Sequence, residues 1–215
     1  MARLFTYSAL ILRVRPSGES NREAWMLTHE EGILRATVFG GPRSRLRAHV
    51  EPYHGGKVWI YRDPVRDSRK ITDFDVLSWK PGIRECYERS AAAAAIAETI
   101  LAGYGGGGSW EYAFNLAEAS FGALETADEP CCARIFIHFL WHWAEILGIR
   151  PDLNEPDAPW DLGPGARRWL EAARDLAPSQ MGRYTLDGVS VRQTRAFVTG
   201  IVGEALGKRL GTWDF

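Results

Sequence analysis

The sequence is poor in cysteine: Cys86, Cys131 and Cys132 are the three present in 215 residues. Three thiols give no even disulfide framework, and an adjacent pair on a helix points to different faces, so no structural disulfide is expected and a reducing cytoplasm fits. Long apolar runs are missing too. The most apolar stretch, Ala91 to Ala102, is alanine-dominated and interrupted by Glu98 and Thr99, whereas a membrane span needs about 20 apolar residues. Met1 to Leu12 has no basic segment followed by an apolar core and a small-residue cleavage site, because Thr6, Tyr7 and Ser8 follow Arg3 closely. A soluble cytoplasmic protein is expected. Net charge is also scarce, at −1 from 26 basic and 27 acidic residues, which argues against a disordered polyelectrolyte or a uniformly basic, histone-like chain.

What is present divides the chain. Residues 1 to 80 carry a net charge of +5 and residues 81 to 215 a net of −6, an asymmetry that suggests an electrostatic partner for the first part. Leu10, Leu12 and Val14, and then Ile33, Arg35, Thr37 and Phe39, alternate with their neighbours at the strand period. Trp25 to Thr28, Lys57 to Tyr61 and Ile71 to Trp79 read as further strands, with turns at Pro16-Ser17-Gly18 and Glu30-Glu31-Gly32. Five short strands with no intervening helical pattern of crossover length predict an antiparallel, OB-like barrel over residues 1–80. From Lys80-Pro81-Gly82 onward the period becomes helical, so residues 81–215 are expected to form an all-α domain, and the fold class is α+β. Helices are expected over Ile83 to Ala102, from Ser109, from Asp128 to Gly148, over Ala166 to Leu176 and over Val189 to Leu206, with a Pro-rich loop at about 151–165.

The strongest local signal is Phe39-Gly40-Gly41-Pro42-Arg43-Ser44-Arg45-Leu46-Arg47. A Gly-Gly-Pro turn allows close backbone approach, and successive arginines can each reach a phosphate. If extended, Arg43, Arg45 and Arg47 share a face; if helical, Arg43 and Arg47 do. Arg13, Arg15, Arg22 and Arg35 sit on other elements of the same small barrel, and Lys57, Arg66, Arg69 and Lys70 add to the count. Together they point to nucleic acid. Arginine outnumbers lysine 22 to 4, but a GC-rich genome gives the same ratio. Tyr53 and Tyr61 are candidate stacking platforms for unpaired bases, while Trp59 is expected in the core.

Enzyme motifs are not found. Gly103 to Gly108 contains G-x-G-x-x-G, but a helix precedes it instead of a strand, so it reads as a flexible helix–helix link. No P-loop or G-x-S-x-G elbow occurs, and His29-Glu30-Glu31 lacks the second histidine of a zincin. His138 and His142, with Glu145 and Cys131, have metal-ligand spacing on one helical face and equally read as a polar stripe opposite Phe136 and Trp143. Asp73 and Asp75 share a strand face and are most simply solvent-facing.

The run Ala9-Leu10-Ile11-Leu12-Arg13, then Gly18-Glu19-Ser20-Asn21, Leu27-Thr28, Gly32, Gly40 and Ser44-Arg45-Leu46, resembles the barrel segment of the bacterial RecO recombination-mediator family. Leu147-Gly148-Ile149-Arg150-Pro151-Asp152-Leu153 resembles the family's G-x-x-P-x-L turn, and Leu206 to Leu210 its C-terminal segment; from about Cys86 to Glu129 the match is helical character alone. The resemblance implies an OB-fold domain followed by a helical domain, a non-enzymatic role, and binding of single- and double-stranded DNA with annealing of complementary strands. It further implies cooperation with RecR, contact with single-strand-binding protein, help in loading RecA, and association with the nucleoid when DNA is bound. Many members carry a four-cysteine zinc site after that turn. Here Asn154-Glu155-Pro156-Asp157 follows Leu153 with no cysteine, so no zinc or other cofactor is carried over, and the Pro-rich loop must be held by packing, with Trp160 a candidate, or be mobile. The residues themselves leave two other readings open: a protein-only adaptor, and a metal-dependent nuclease using His138, His142 or a carboxylate pair.

Overall fold

A computed structural model of the chain describes residues 3–41, 43–103, 109–155, 160 and 162–215. Two compact units are formed, Met1–Lys80 with Trp110–Glu118, and Pro81–Ser109 with Ala119–Phe215. The first contains the strands β1 (Leu4–Ser17), β2 (Asn21–Thr28), β3 (Gly32–Val38), β4 (Gly55–Asp63) and β5 (Ser68–Ser78), with a short helix α1 (Arg45–His49) between β3 and β4. Helices α2 (Tyr87–Ala102), α3 (Trp110–Leu124), α4 (Glu129–Ile146), α5 (Pro164–Ala173) and α6 (Gly188–Ala205) follow.

The strands close into a barrel of order β1-β2-β3-β5-β4, the OB-like form that the alternation predicts. One pairing departs from the antiparallel expectation. β3 and β5 run parallel through Thr37↔Lys70 and Val38↔Ile71, and this seam closes the sheet. Period-2 alternation then sorts the side chains: Tyr7, Ile11, Met26, Leu34, Ile60 and Phe74 fill the interior. A bulge between Ile11 and Arg13 inserts one residue and re-aims the strand. Ile11 and Val14 consequently both pack on the interior, while Arg13 and Arg15 face out.

Outside the barrel, Leu10, Leu27 and Ile33 form one cross-strand row and are buried. Beside them the first turns of α3 pack down. Trp110 lies against Gly32, where φ is +72° and an added Cβ would stand 2.4 Å from the indole, and Phe114 meets His29 edge-on at 5.6 Å. Glycine is therefore required at position 32 twice over, for its backbone angle and for the approach of the ring. Lys80, buried, donates to Ser78 Oγ at 2.8 Å and to Glu118 at 2.7 Å. A helical domain running unbroken over 81–215 is thus not what forms, since residues 110–118 belong with the barrel.

In the second unit the expected helix from Ile83 is a 3₁₀ turn, Pro81–Glu85, followed by α2. Cys86 is extended, at φ −135° and ψ 136°, and the turn's carbonyls are taken by Arg89, which reaches Gly82 at 3.2 Å, and Ser90, which reaches Ile83 at 2.7 Å. Asp128 caps α4 as its position predicts, accepting from Cys131 N at 2.9 Å. α4 is buried on every side from Ile135 to Ala144, so the one-faced helix expected from Phe136, Phe139 and Trp143 is instead the centre of the unit. The thiols of Cys131 and Cys132 are free, and burial pushes that of Cys132 up to about 12. Two 3₁₀ turns, Pro178–Arg183 and Gly211–Asp214, had no sequence signal. The Gly-rich segment 104–108, Pro42, and residues 156–159 and 161 of the Pro-rich loop lie outside the described residues. Among the described residues, no helix is long and apolar enough to cross a membrane.

His138 and His142 are neither a metal pair nor a solvent stripe. Both are buried, and their Nε2 atoms donate to the carbonyls of Leu176 at 2.8 Å and Ala173 at 2.9 Å, satisfying groups that the end of α5 leaves unpaired. Burial first, and then the neighbouring His142 ring, pushes the His138 imidazole down to about 4 against an ordinary 6.5. Between these values the unfolded chain binds the extra proton, so stability is full above about pH 6.5 and falls as pH drops toward 4, by up to about 3 kcal/mol. Urea titrations at pH 7 and pH 5 should give a lower midpoint at pH 5, and His138→Gln should flatten that difference.

Candidate nucleic-acid interface

Closure of the barrel brings residues from three strands into one outward row. Arg13 pairs with Trp25 and Trp25 with Arg35. The indole is flanked by two arginines across two strand spacings, about 10 Å. The adjacent outward row runs Arg15, Glu23, Thr37 and Lys70. Arg15 lies over the Trp25 ring at 5.8 Å, and Lys70 over the ring of Phe39 at 4.9 Å, which is itself 46% exposed. Glu23 is the one carboxylate in these rows and binds Arg35 Nε at 2.9 Å. Four cations, one anion and two aromatic surfaces share this part of the barrel.

The remaining sequence-predicted residues go elsewhere. Arg22 was expected on the DNA surface; its side chain is 13% exposed and bonds Glu51 at 2.7 Å, the Arg47 carbonyl at 3.0 Å and the Val50 carbonyl. It is a peg that fixes the chain leaving α1. Arg47 donates to the Ser20 carbonyl at 3.4 Å, which sets α1 beside the β1–β2 turn. α1 begins at Arg45, so Arg43 precedes the helix, and Arg45 and Arg47, two apart on it, diverge. Neither shared-face geometry foreseen for the triplet is formed. Arg43 and Arg45 are exposed, and Arg45 Nε reaches His49 Nε2 at 3.4 Å.

Lys57 points out, 5.6 Å above the Trp59 ring, but its register partner is Asp75 and that of Trp59 is Asp73. This surface is mixed in sign. Trp59 itself is outward and half-buried, contrary to its expected place in the core, because Val58 and Ile60 take the inward positions. Arg69 shares the inward side with Ile71 and looks into the mouth of the barrel, away from Lys70. Tyr61 accepts a hydrogen bond from Arg3 at 3.2 Å, and Tyr53 is half-buried at φ +72°. The sequence reading missed Trp25 and Phe39 as platforms, and Arg3 and Arg62 altogether. Register pairing, which no local pattern reveals, is what singles them out.

The residues after Leu153 do not fit a zinc centre. No cysteine lies there to supply the thiolates that a four-cysteine centre requires. Among the described residues of the loop, Leu153 is buried, its carbonyl is bonded by Arg167, and Trp160 packs on Phe197 at 5.5 Å.

Residues 1–78 match the family model for the recombination protein O N-terminal domain. The likeness to that family lies in this N-terminal segment. It is 26% identical over 153 residues to the DNA repair protein RecO of Gloeobacter violaceus, a match covering 69% of this chain and 58% of that protein. It is 28% identical over 102 residues to the DNA repair protein RecO of Pelotomaculum thermopropionicum, covering 46% of this chain and 39% of that protein. These matches span about half the length of the curated relatives. The matched segment coincides with the barrel that carries the cationic rows.

Arg22→Ala removes charge-assisted bonds to one carboxylate and two carbonyls. It should lower unfolding stability by about 2–3 kcal/mol, read from urea midpoints, while leaving the salt slope of any polyanion binding unchanged.

Proposed function

We propose that the protein acts in DNA repair and recombination by binding DNA on the outer face of β1, β2 and β3. The observation that carries this is the row Arg13, Trp25, Arg35, with Arg15 over the indole. Arginines around a half-buried aromatic ring suit a single strand: guanidinium groups take phosphates, and a base stacks on the indole in the place that Arg15 occupies in the free protein, with no sequence requirement. Phe39 beneath Lys70 offers a second ring. Arg43, Arg45 and Arg47, placed by α1 beside the β1–β2 turn, extend the contact to further phosphates or to duplex. Each neutralised phosphate releases counterions, so affinity falls steeply with salt.

Annealing of complementary strands follows without covalent chemistry, because strands gathered on one cationic face meet at raised local concentration with their mutual repulsion screened. In this reading the protein is not an enzyme and needs no zinc or other cofactor. The acidic helical unit serves protein partners, namely RecR and single-strand-binding protein, and the outcome is RecA loading on coated strands. Association with the nucleoid through DNA accompanies it.

Replacing Arg13, Arg15 and Arg35 together by alanine should weaken single-strand binding and make the plot of log affinity against log salt shallower by about 2. Trp25→Ala should cost single-stranded DNA about 1–3 kcal/mol and duplex much less. Arg43, Arg45 and Arg47 replaced by alanine should lower duplex affinity. Fluorescence anisotropy over a salt series reads all three, and unchanged binding in the first variant rejects this face.

A further inference from the structure

Inward positions on the barrel strands are apolar through the middle and turn cationic at one end. Tyr7, Ile60 and Ile71 belong to the interior, and further out on the same sides of β1, β4 and β5 stand Arg3, Arg62 and Arg69. Arg62 is the register partner of Arg69, and its backbone N–H donates to the Arg3 carbonyl at 2.8 Å. Three arginines therefore occupy one row over three adjacent strands. Like charges placed directly opposite destabilise a sheet, so such a row calls for anionic compensation.

Among the described residues the direct carboxylate ion pair goes to Arg62, while Asp63 acts on Arg3 and Glu31 on Arg69 through space. Arg62 bonds Glu31, reaches the Tyr7 hydroxyl at 2.5 Å and lies over the Phe5 ring at 4.7 Å. The Tyr7 hydroxyl also donates to Glu31 at 2.8 Å. Burial opposes ionisation of Glu31, but the bonds from Arg62 and Tyr7 outweigh it and hold the carboxyl below its usual range. Arg62 is thus fixed and matched. Arg69 Nε is buried with no hydrogen-bond acceptor among the described residues. The three arginines, with Phe5 and Ser68, line a cavity of about 510 Å³, within the ~300–1,000 Å³ range of small-ligand sites. Asp63 and Asp67 also border it. The first accepts from the N–H groups of Val65 and Arg66, at 2.9 and 3.3 Å, and its charge also acts on Arg3; the second sits in the β4–β5 turn at φ +45°.

We propose that this barrel mouth is a phosphomonoester pocket, sized for one nucleotide and distinct from the outer DNA face. Arg69 and Arg3 grip the phosphate oxygens, the guanidinium fork of Arg69 giving paired charge-assisted bonds. Arg62 is the fixed third cation, and Ser68 adds a hydroxyl. A phosphomonoester carries nearly two negative charges at neutral pH, which suits a row in which Arg3 and Arg69 make no carboxylate ion pair among the described residues and Arg69 Nε has no acceptor. It has two sources, the phosphorylated end of a DNA strand or a free nucleotide. The strand-end source rests on the DNA reading above; the pocket does not.

The test uses the full chain and a labelled single-stranded oligonucleotide with either a 5′-phosphate or a 5′-hydroxyl, alongside thermal shift with adenosine 5′-monophosphate. The phosphorylated strand should bind about tenfold tighter, with the preference lost in Arg69→Gln and in Arg3→Gln and kept in Arg35→Ala, which weakens both strands equally. Stabilisation by the free monophosphate without an end preference assigns the pocket to free nucleotide, provided Arg69→Gln removes it. Equal binding of the two strands together with no monophosphate shift overturns the pocket and leaves the outer face standing. Failure of the 5′-hydroxyl strand to bind, with an Arg69-dependent monophosphate shift, does the reverse. Should Arg69→Gln fold poorly, Arg3→Gln and the wild-type strand comparison still decide.

Discussion

Two register pairs, Thr37↔Lys70 and Val38↔Ile71, turn an open sheet into a barrel with an inside and an outside. Their partners lie far apart in the chain, so the entropy of closing that loop is met by burial of the interior behind them. Once the seam forms, alternation decides the fate of every basic residue. Positions next to one another, such as Arg69 and Lys70, are sent to opposite sides. The bulge after Ile11 does the same for β1: it keeps Val14 on the core while Arg13 and Arg15 join the exposed row. A count of arginines becomes two separate constellations, one on the outer face and one at the mouth.

The outer face of β1, β2 and β3 is divided along its length. Its apolar part, the row Leu10, Leu27 and Ile33, is buried beside the first turns of α3, and its cationic part, the row Arg13, Trp25 and Arg35, is open. A single surface is thus packed along one part and open along another, with the boundary set by where α3 stops covering it. The net charge of −1 for the chain conceals this, since the excess of acid resides after residue 80.

Much of the fold was legible in the sequence. Strand alternation around Leu12 and Leu34, glycines at positive φ in the turns, the Asp128 cap and the change of period at Lys80 all act locally, so short windows carry them. Partner choice acts at a distance, and no window carries it: the parallel seam, the pairing of Arg62 with Arg69 and the row through Trp25 depend on which strands meet. Trp59 is instructive. An aromatic at the centre of a strand suits the core, yet Val58 and Ile60 on either side claim the interior and leave the indole outside under Lys57. Arg22 shows the converse, a residue whose charge suggested solvent and whose guanidinium is consumed by Glu51 and two carbonyls. Composition marked the basic region of the chain, and strand pairing decided which of its members share a face.

The division of α3 has a consequence for biosynthesis. The cover for the barrel's apolar stripe is translated only after α2, so a nascent chain that has emerged through Lys80 holds all five strands and an unshielded hydrophobic band. At about 5–20 residues per second, some 2–8 seconds pass before Glu118 leaves the ribosome. For that interval the stripe of Leu10, Leu27 and Ile33 lacks its cover, and a fragment severed at the domain boundary would leave it open permanently.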